Sequence, residues 1–177
     1  MTRQNRIEME QHIKLFIMDV DGVLTDGRIG YGCGSDEEIK FFDVKDGLGI
    51  TLLHRCGIAT AVLSGRQSLA NLRRLRELKV THVIEGCKDK ANGIRDLCAN
   101  LGVSPEECLY MGDDLIDLPA MRLAGISVAV GDAVPEAKAN ATWVMEHNGG
   151  RGAVREAAER LLKKQGLWEK ATEPYYQ

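Results

Sequence analysis

Residues 13–23, Ile-Lys-Leu-Phe-Ile-Met-Asp-Val-Asp-Gly-Val, form a short, mostly apolar run that stops at two aspartates flanking Val20. A run this brief, rich in Ile and closed by Asp and Gly, reads as a strand rather than a helix. The same signature recurs at 58–63, 81–84, 108–111, 126–130 and 142–144. Longer amphipathic stretches separate these runs and predict helices near 47–56, 67–78, 90–101, 115–123, 135–139 and 152–164. Strand, helix, strand in regular order predicts an α/β fold: a parallel sheet with right-handed crossovers and helices on both faces.

One stretch breaks that rhythm. Residues 28–43, Arg-Ile-Gly-Tyr-Gly-Cys-Gly-Ser-Asp-Glu-Glu-Ile-Lys-Phe-Phe-Asp, read as two strands around a Gly/Ser/Asp turn, a β-hairpin inserted between the first strand and the first helix. It is too short for a second domain, and 177 residues suit one domain of ~100–200, so 1–177 is expected to fold as a unit. Ser104-Pro105-Glu106-Glu107 has the spacing of a capping box with Pro at the first helical position, which predicts a helical turn just before the fourth of the runs. The tail 166–177 mixes Trp168, Tyr175 and Tyr176 with polar residues and is expected to be flexible unless docked.

Hydrophobic residues at 44% and charged residues at 28% exclude a disordered chain. A formal charge of −3 supplies no general positive field, so neither nucleic acid nor a membrane surface is expected as a partner. No apolar run approaches the ~20 residues that cross a bilayer, and residues 1–12 lack a signal-peptide core; a cytoplasmic protein is expected. The five cysteines, at 33, 56, 87, 98 and 108, are odd in number with no C-x-x-C pair, which points away from disulfides and zinc. His12, His54, His82 and His147 form no cluster and read as structural.

In a parallel α/β sheet ligands bind beyond the carboxyl ends of the strands. Polar residues converge there: Asp19 and Asp21 after the first run, Ser64-Gly65-Arg66 after the second, Lys90 beyond the third, and Gly112-Asp113-Asp114 with Asp117 after the fourth. Asp19, Asp21 and Asp113 at neighbouring strand ends would repel one another unless a hard cation sits among them, and Mg²⁺ is the natural candidate. Residues i and i+2 of an extended chain share a face, so Asp19 and Asp21 can address one site. A carboxylate there can attack phosphorus while its neighbour protonates the leaving oxygen and later deprotonates water. Ser64 offers a hydroxyl and Lys90 a point charge for phosphoryl oxygens. Taken alone, a D-x-D is more often a turn, a Ser after a strand a cap, and a Lys a solvated charge. Four such motifs in order at successive strand ends make those bland readings jointly improbable.

Asp19-Val20-Asp21-Gly22-Val23, Ser64-Gly65-Arg66, Lys90 and Gly112-Asp113-Asp114-Leu115-Ile116-Asp117 resemble the four ordered motifs of the haloacid dehalogenase superfamily of phosphatases. Asp43-Val44-Lys45-Asp46-Gly47-Leu48-Gly49 and Gly149-Gly150-Arg151-Gly152-Ala153-Val154-Arg155-Glu156 narrow the resemblance to a capless branch that acts on phosphorylated sugar acids, over roughly 13–162. The resemblance implies a Rossmann-like fold with the β-hairpin instead of a cap domain, a homotetramer whose hairpins pack together, and a Mg²⁺-dependent phosphatase working through an aspartyl-phosphate. By carry-over Asp19 is the nucleophile and Asp21 the general acid/base. Asp19, Asp113 and the Asp21 carbonyl hold Mg²⁺, and Ser64 and Lys90 hold the phosphate. Asp21, Asp43, Val44, Lys45, Asp46, Gly47, Gly65, Arg66 and Arg74, with Ser64 and Lys90, match substrate-binding positions. The implied substrate is a 3-deoxy-octulosonate 8-phosphate used in lipopolysaccharide precursor synthesis. A nine-carbon sugar acid 9-phosphate is the enzymatic alternative, disfavoured by Arg66 where such enzymes carry an acidic residue. A non-catalytic phosphatase-like oligomerisation module is the other, disfavoured by the intact Asp19, Asp21, Lys90 and Asp113.

Overall fold

The computed structural model describes residues 13–32 and 38–177. His12, Cys33 and the expected turn of the hairpin lie outside the described residues. Six parallel strands form the main sheet: β1 (Leu15–Met18), β4 (Ala59–Leu63), β5 (His82–Ile84), β6 (Cys108–Gly112), β7 (Ile126–Ala129) and β8 (Trp143–Val144), in the spatial order β5-β4-β1-β6-β7-β8. Each of the six apolar runs became one of these strands. All four residues of β1 are fully buried, as expected where helices cover both faces of a parallel sheet and the alternation of buried and exposed positions disappears.

The hairpin pairs β2 (Gly30–Tyr31) with β3 (Glu38–Ile39) in antiparallel register, Gly30 opposite Ile39 and Tyr31 opposite Glu38, and a single bridge from Thr25 to Phe42 closes its base. Tyr31, Ile39 and Phe41 are exposed at 74%, 48% and 68%.

The helices are α1 (Val44–Arg55), α2 (Leu69–Glu77), α3 (Lys90–Leu101), α4 (Leu118–Met121), α5 (Pro135–Asn140), α6 (Ala153–Lys164) and α7 (Trp168–Thr172). One group packs α1, α6 and α7 together, and a second packs α3, α4 and α5. Helix α1 starts three residues before its expected position because Asp43 caps it, its carboxylate accepting from the Lys45 N–H at 2.7 Å. Gly47 and Gly49 inside α1 argue locally against helix. Their lack of side chain serves packing, since a Cβ at Gly47 would lie 2.7 Å from Arg74 Nη2 and one at Gly49 would lie 3.0 Å from the Arg155 Cα. The capping box at Ser104 holds, with Glu107 accepting from the Ser104 N–H at 2.9 Å ahead of β6. The tail is docked: Ala171 is fully buried, and Arg55 donates to the Ala171 carbonyl at 3.1 Å and stacks over Tyr175.

Candidate active site

The sheet order reverses at β1, with β4 and β5 on one side and β6 to β8 on the other, and a crevice opens beyond the strand ends at such a reversal. Register aligns the ends: Met18 is opposite Val62 in β4 and Met111 in β6, and the Asp19 N–H donates to the Met111 carbonyl at 3.0 Å. Asp19, Ser64 and Asp113 therefore leave three adjacent strands at one level. Two glycines shape the floor. Gly22 has φ +86°, and a Cβ there would fall 2.1 Å from Asp113 Oδ2, so only glycine lets the turn after Asp21 lie against that carboxylate. Gly149 crosses the same turn so closely that a Cβ would sit 1.8 Å from the Gly22 carbonyl oxygen, which accounts for the Gly149-Gly150 pair far along the chain.

Lys90, the first residue of α3, is 2% exposed, and its ammonium lies 2.6 Å from both Asp19 Oδ2 and Asp117 Oδ1. Asp19 Oδ1 accepts from the Val20 N–H at 2.7 Å. Burial pushes the Asp19 carboxyl up to about 6, opposed by the Lys90 ammonium. Burial works to lower Lys90, but the charges of Asp19 and Asp117 prevail and hold it protonated. Asp113 has no direct ion pair among the described residues: burial, then the charges of Asp117 and Asp19, push it up to about 8, against a weaker pull from the Lys90 ammonium. Asp19, Asp113 and Asp117 each bring a carboxylate oxygen within 4.8 Å of the others. The donor set fits a hard cation, since three carboxylates share one ammonium and the one most disfavoured as an anion sits nearest the open side.

Asp117 carries more than its place in the motif implied. It is fully buried; Oδ1 accepts from Lys90 and from the Tyr110 hydroxyl at 2.7 Å, and Oδ2 accepts from the N–H groups of Asp113 and Asp114 at 2.9 and 3.2 Å. It fixes the loop that presents Asp113. Its position, three residues after Asp114, is the third of a capping box, a signal visible in the sequence.

Asp21 meets Lys40 Nζ at 2.6 Å, and Arg66 Nε approaches its other oxygen at 3.8 Å. Arg66 is ion-paired with Glu38, and Lys40 lies 3.6 Å from Glu38. Lys40 and Glu38 were absent from the expected site. Strand alternation could have found them, because if Ile39 and Phe41 face outward, residues 38 and 40 face the protein. Ser64 is 1% exposed and closes a turn, its Oγ accepting from the Arg66 N–H at 3.2 Å, with Gly65 at the exposed tip. Arg66 precedes α2 by three residues.

The stretch 43–47 is not assembled with this group. Asp43 caps α1 and Val44 is 77% exposed. Lys45 borders a separate cleft of about 560 Å³ with Arg155 and Lys163 of α6. Asp46 is 1% exposed and caps α6, accepting from the N–H groups of Gly152 and Arg155 at 3.2 and 2.8 Å; burial pushes it up to about 6 despite those bonds. Gly47 packs on Arg74, whose guanidinium lies 6.0 Å from the Phe42 ring. Arg74, Phe42, Tyr31, Glu38 and Lys40 line a cleft of about 970 Å³ between the hairpin and α2, which opens beside the partners of Asp21 rather than over Asp19. Among the remaining histidines, His54 bonds Thr60 at 2.7 Å and His147 bonds Glu156 at 2.8 Å.

Carboxylates at the ends of β1 and β6, a lysine buried between them, and a hairpin where a cap would stand define a haloacid dehalogenase-like site. The haloacid dehalogenase-like hydrolase family matches residues 76–157. The 3-deoxy-D-manno-octulosonate 8-phosphate phosphatase of Escherichia coli K12 is 42% identical over 165 residues, 93% of this chain and 87% of that one. Among solved structures, the Moraxella catarrhalis phosphatase of the same name, in complex with magnesium, phosphate and KDO, superposes with TM-score 0.91 at 40% identity, covering 99% of this chain and 100% of that one. The cobalt-bound Haemophilus influenzae phosphatase gives 0.87 at 41% identity, covering 90% and 93%. The chain belongs to the 3-deoxy-D-manno-octulosonate 8-phosphate phosphatase family of haloacid dehalogenase-like hydrolases.

Proposed function

We propose that the protein hydrolyses 3-deoxy-D-manno-octulosonate 8-phosphate to the free sugar acid and phosphate, in lipopolysaccharide precursor synthesis, as a cytoplasmic homotetramer. The observation that carries the reading is the Asp19–Lys90–Asp117 chain of 2.6 Å contacts beside Asp113 at the ends of adjacent parallel strands. Asp19 attacks phosphorus. The bond to the sugar oxygen breaks with its electron pair going to that oxygen, which takes a proton from Asp21. The Asp21 carboxylate then takes a proton from water as the water oxygen attacks the aspartyl-phosphate, releasing phosphate and freeing Asp19.

Lys90, already oriented by Asp117, and Ser64 hold the phosphoryl oxygens. Asp19, Asp113 and the Asp21 carbonyl would hold Mg²⁺, which when bound supplies charge for those oxygens. Arg66 pairs with the substrate carboxylate, exchanging Glu38 for it, and Gly65 lets the turn approach the ligand. The exposed start of α1 at Val44 and Lys45, and Arg74, complete the substrate site across subunits, since Lys45 borders the α1–α6 surface and Arg74 the hairpin cleft rather than Asp19, whereas Asp46 and Gly47 are buried within the subunit. Exposed Tyr31, Ile39, Phe41, Val44, Leu69 and Leu72 support assembly through the hairpin. Among the described residues no helix is long and apolar enough to cross a membrane.

The test is turnover of eight- and nine-carbon sugar acid phosphates with and without Mg²⁺, in the wild type, Asp19→Asn and Asp113→Ala. Preference for the eight-carbon substrate, an inactive folded Asp19→Asn and weakened Mg²⁺ binding in Asp113→Ala are expected. Full activity in Asp19→Asn would refute the covalent route.

A further inference from the structure

Lys40 is the first residue beyond β3, and its side chain has no solvent exposure. An ammonium is buried at considerable cost unless it is paired and hydrogen-bonded. Its contacts are Asp21 Oδ1 at 2.6 Å and Glu38 Oε2 at 3.6 Å. Glu38 pairs through its other oxygen with Arg66, and Arg66 returns to Asp21 Oδ2 at 3.8 Å, so two carboxylates and two cations alternate in a ring. The two oxygens of Asp21 are treated differently. Oδ1 is held by Lys40, whereas Oδ2 is buried with no hydrogen-bond partner among the described residues. Among the described residues the hairpin has two-residue strands and a single bridge at its base. Lys40 and Glu38 are the charged side chains its described residues send inward.

We propose that Lys40 is a positioning residue for proton transfer: its ammonium clamps Asp21 Oδ1 and leaves Oδ2 as the oxygen that delivers the proton to the leaving group. This rests on the reading of Asp21 as general acid/base. With one oxygen fixed, the carboxyl cannot rotate away from the leaving oxygen, and the correct geometry is prepared before substrate arrives. The hairpin thereby takes over an orienting task in a fold without a cap domain. Lys40 has no contact with Asp19 among the described residues and acts through Asp21, its short contact, rather than through the longer one to Glu38.

The test is the dependence of kcat/KM on leaving-group acidity across a series of aryl phosphates, with the sugar acid phosphate as the poorest leaving group. General acid assistance is worth on the order of 10²–10⁴-fold for poor leaving groups and little for p-nitrophenolate, which leaves without a proton. Lys40→Met should lose about 10²-fold or more on the sugar acid phosphate and less than about threefold on p-nitrophenyl phosphate. Lys40→Arg should recover part of the loss. In an Asp21→Asn background Lys40→Met should add no further loss, because the two act as one unit.

Thermal unfolding and phosphate binding of each variant establish the fold. If Lys40→Met does not fold, Lys40→Arg and Lys40→Gln carry the same comparison, the arginine variant keeping a shallower dependence than the glutamine variant. Equal loss on all substrates, no loss on any, or additive losses with Asp21→Asn would overturn the proposal. If Asp21→Asn itself shows no leaving-group dependence, the general-acid reading fails and this proposal with it. If Asp21→Asn shows that dependence and Lys40→Met does not, only the role of Lys40 fails.

Discussion

Replacing Asp117 by Asn tests the arrangement at its most connected point. Four donors converge on two oxygens with no solvent: Lys90 and Tyr110 on one, the N–H groups of Asp113 and Asp114 on the other. An asparagine presents one oxygen and one NH₂, so its NH₂ faces either the Lys90 ammonium, with Tyr110 able to turn and accept, or the two backbone N–H groups, and in both orientations at least one donor faces a donor. The negative charge beside Lys90 is also lost, leaving the ammonium with Asp19 alone. Removing one partner of a buried ion pair costs about 3–5 kcal/mol. In a chain of this length each kcal/mol moves the melting temperature by about 2–4 °C, so Asp117→Asn should lower it by ~6–20 °C. Tyr110→Phe removes a single bond worth about 0.5–1.5 kcal/mol and should lower it by ~1–6 °C. Calorimetric melting of the metal-free protein, followed by Mg²⁺ titration, separates two roles. A hub that shapes the Asp113 loop predicts a large loss in the metal-free melt. An Asp117 acting only as a metal ligand predicts an unchanged melt and lost affinity. A melt within about 2 °C of wild type, below even one kcal/mol, would refute the hub.

Arg66→Ala should lower kcat/KM for the sugar acid phosphate by about 2 kcal/mol or more while changing p-nitrophenyl phosphate little, because only the former has a carboxylate to lose; equal losses on both would return Arg66 to the phosphate site or the fold. Asp46 has a carboxyl raised from 3.8 to about 6, so the folded state holds its proton more tightly and the Asp46 contribution falls by roughly 3 kcal/mol as pH rises through that window, then stays level. The melting difference between wild type and Asp46→Asn should therefore shrink from pH 4 to 6 and be constant above 7; growth of that difference with pH would contradict the assignment. Light scattering at micromolar concentration should report a tetramer, and Phe41→Asp should dissociate it; a monomeric wild type would remove the basis for a site completed across subunits.

The strands, their order along the chain and the acidic strand ends were legible in the sequence because each rests on local signals. Runs such as Leu15–Met18 are buried on both faces and so read as unbroken apolar segments. Asp19, Ser64 and Asp113 follow such runs directly, so their convergence follows once the sheet is parallel. What the tertiary structure alone decided is which partners those residues have. Lys40 reaches Asp21 across 19 residues, Glu38 reaches Arg66 across 28, and Asp46 caps α6 across 106 to 109. Asp46 lies in a motif that reads as substrate-binding, yet both its oxygens serve a helix more than a hundred residues away. Periodicity reports which face of an element is apolar, but not which distant element a polar side chain meets. Contacts between charged groups separated by a hairpin or by half the chain exist only because the sheet brings them together, and desolvation makes them strong once they meet.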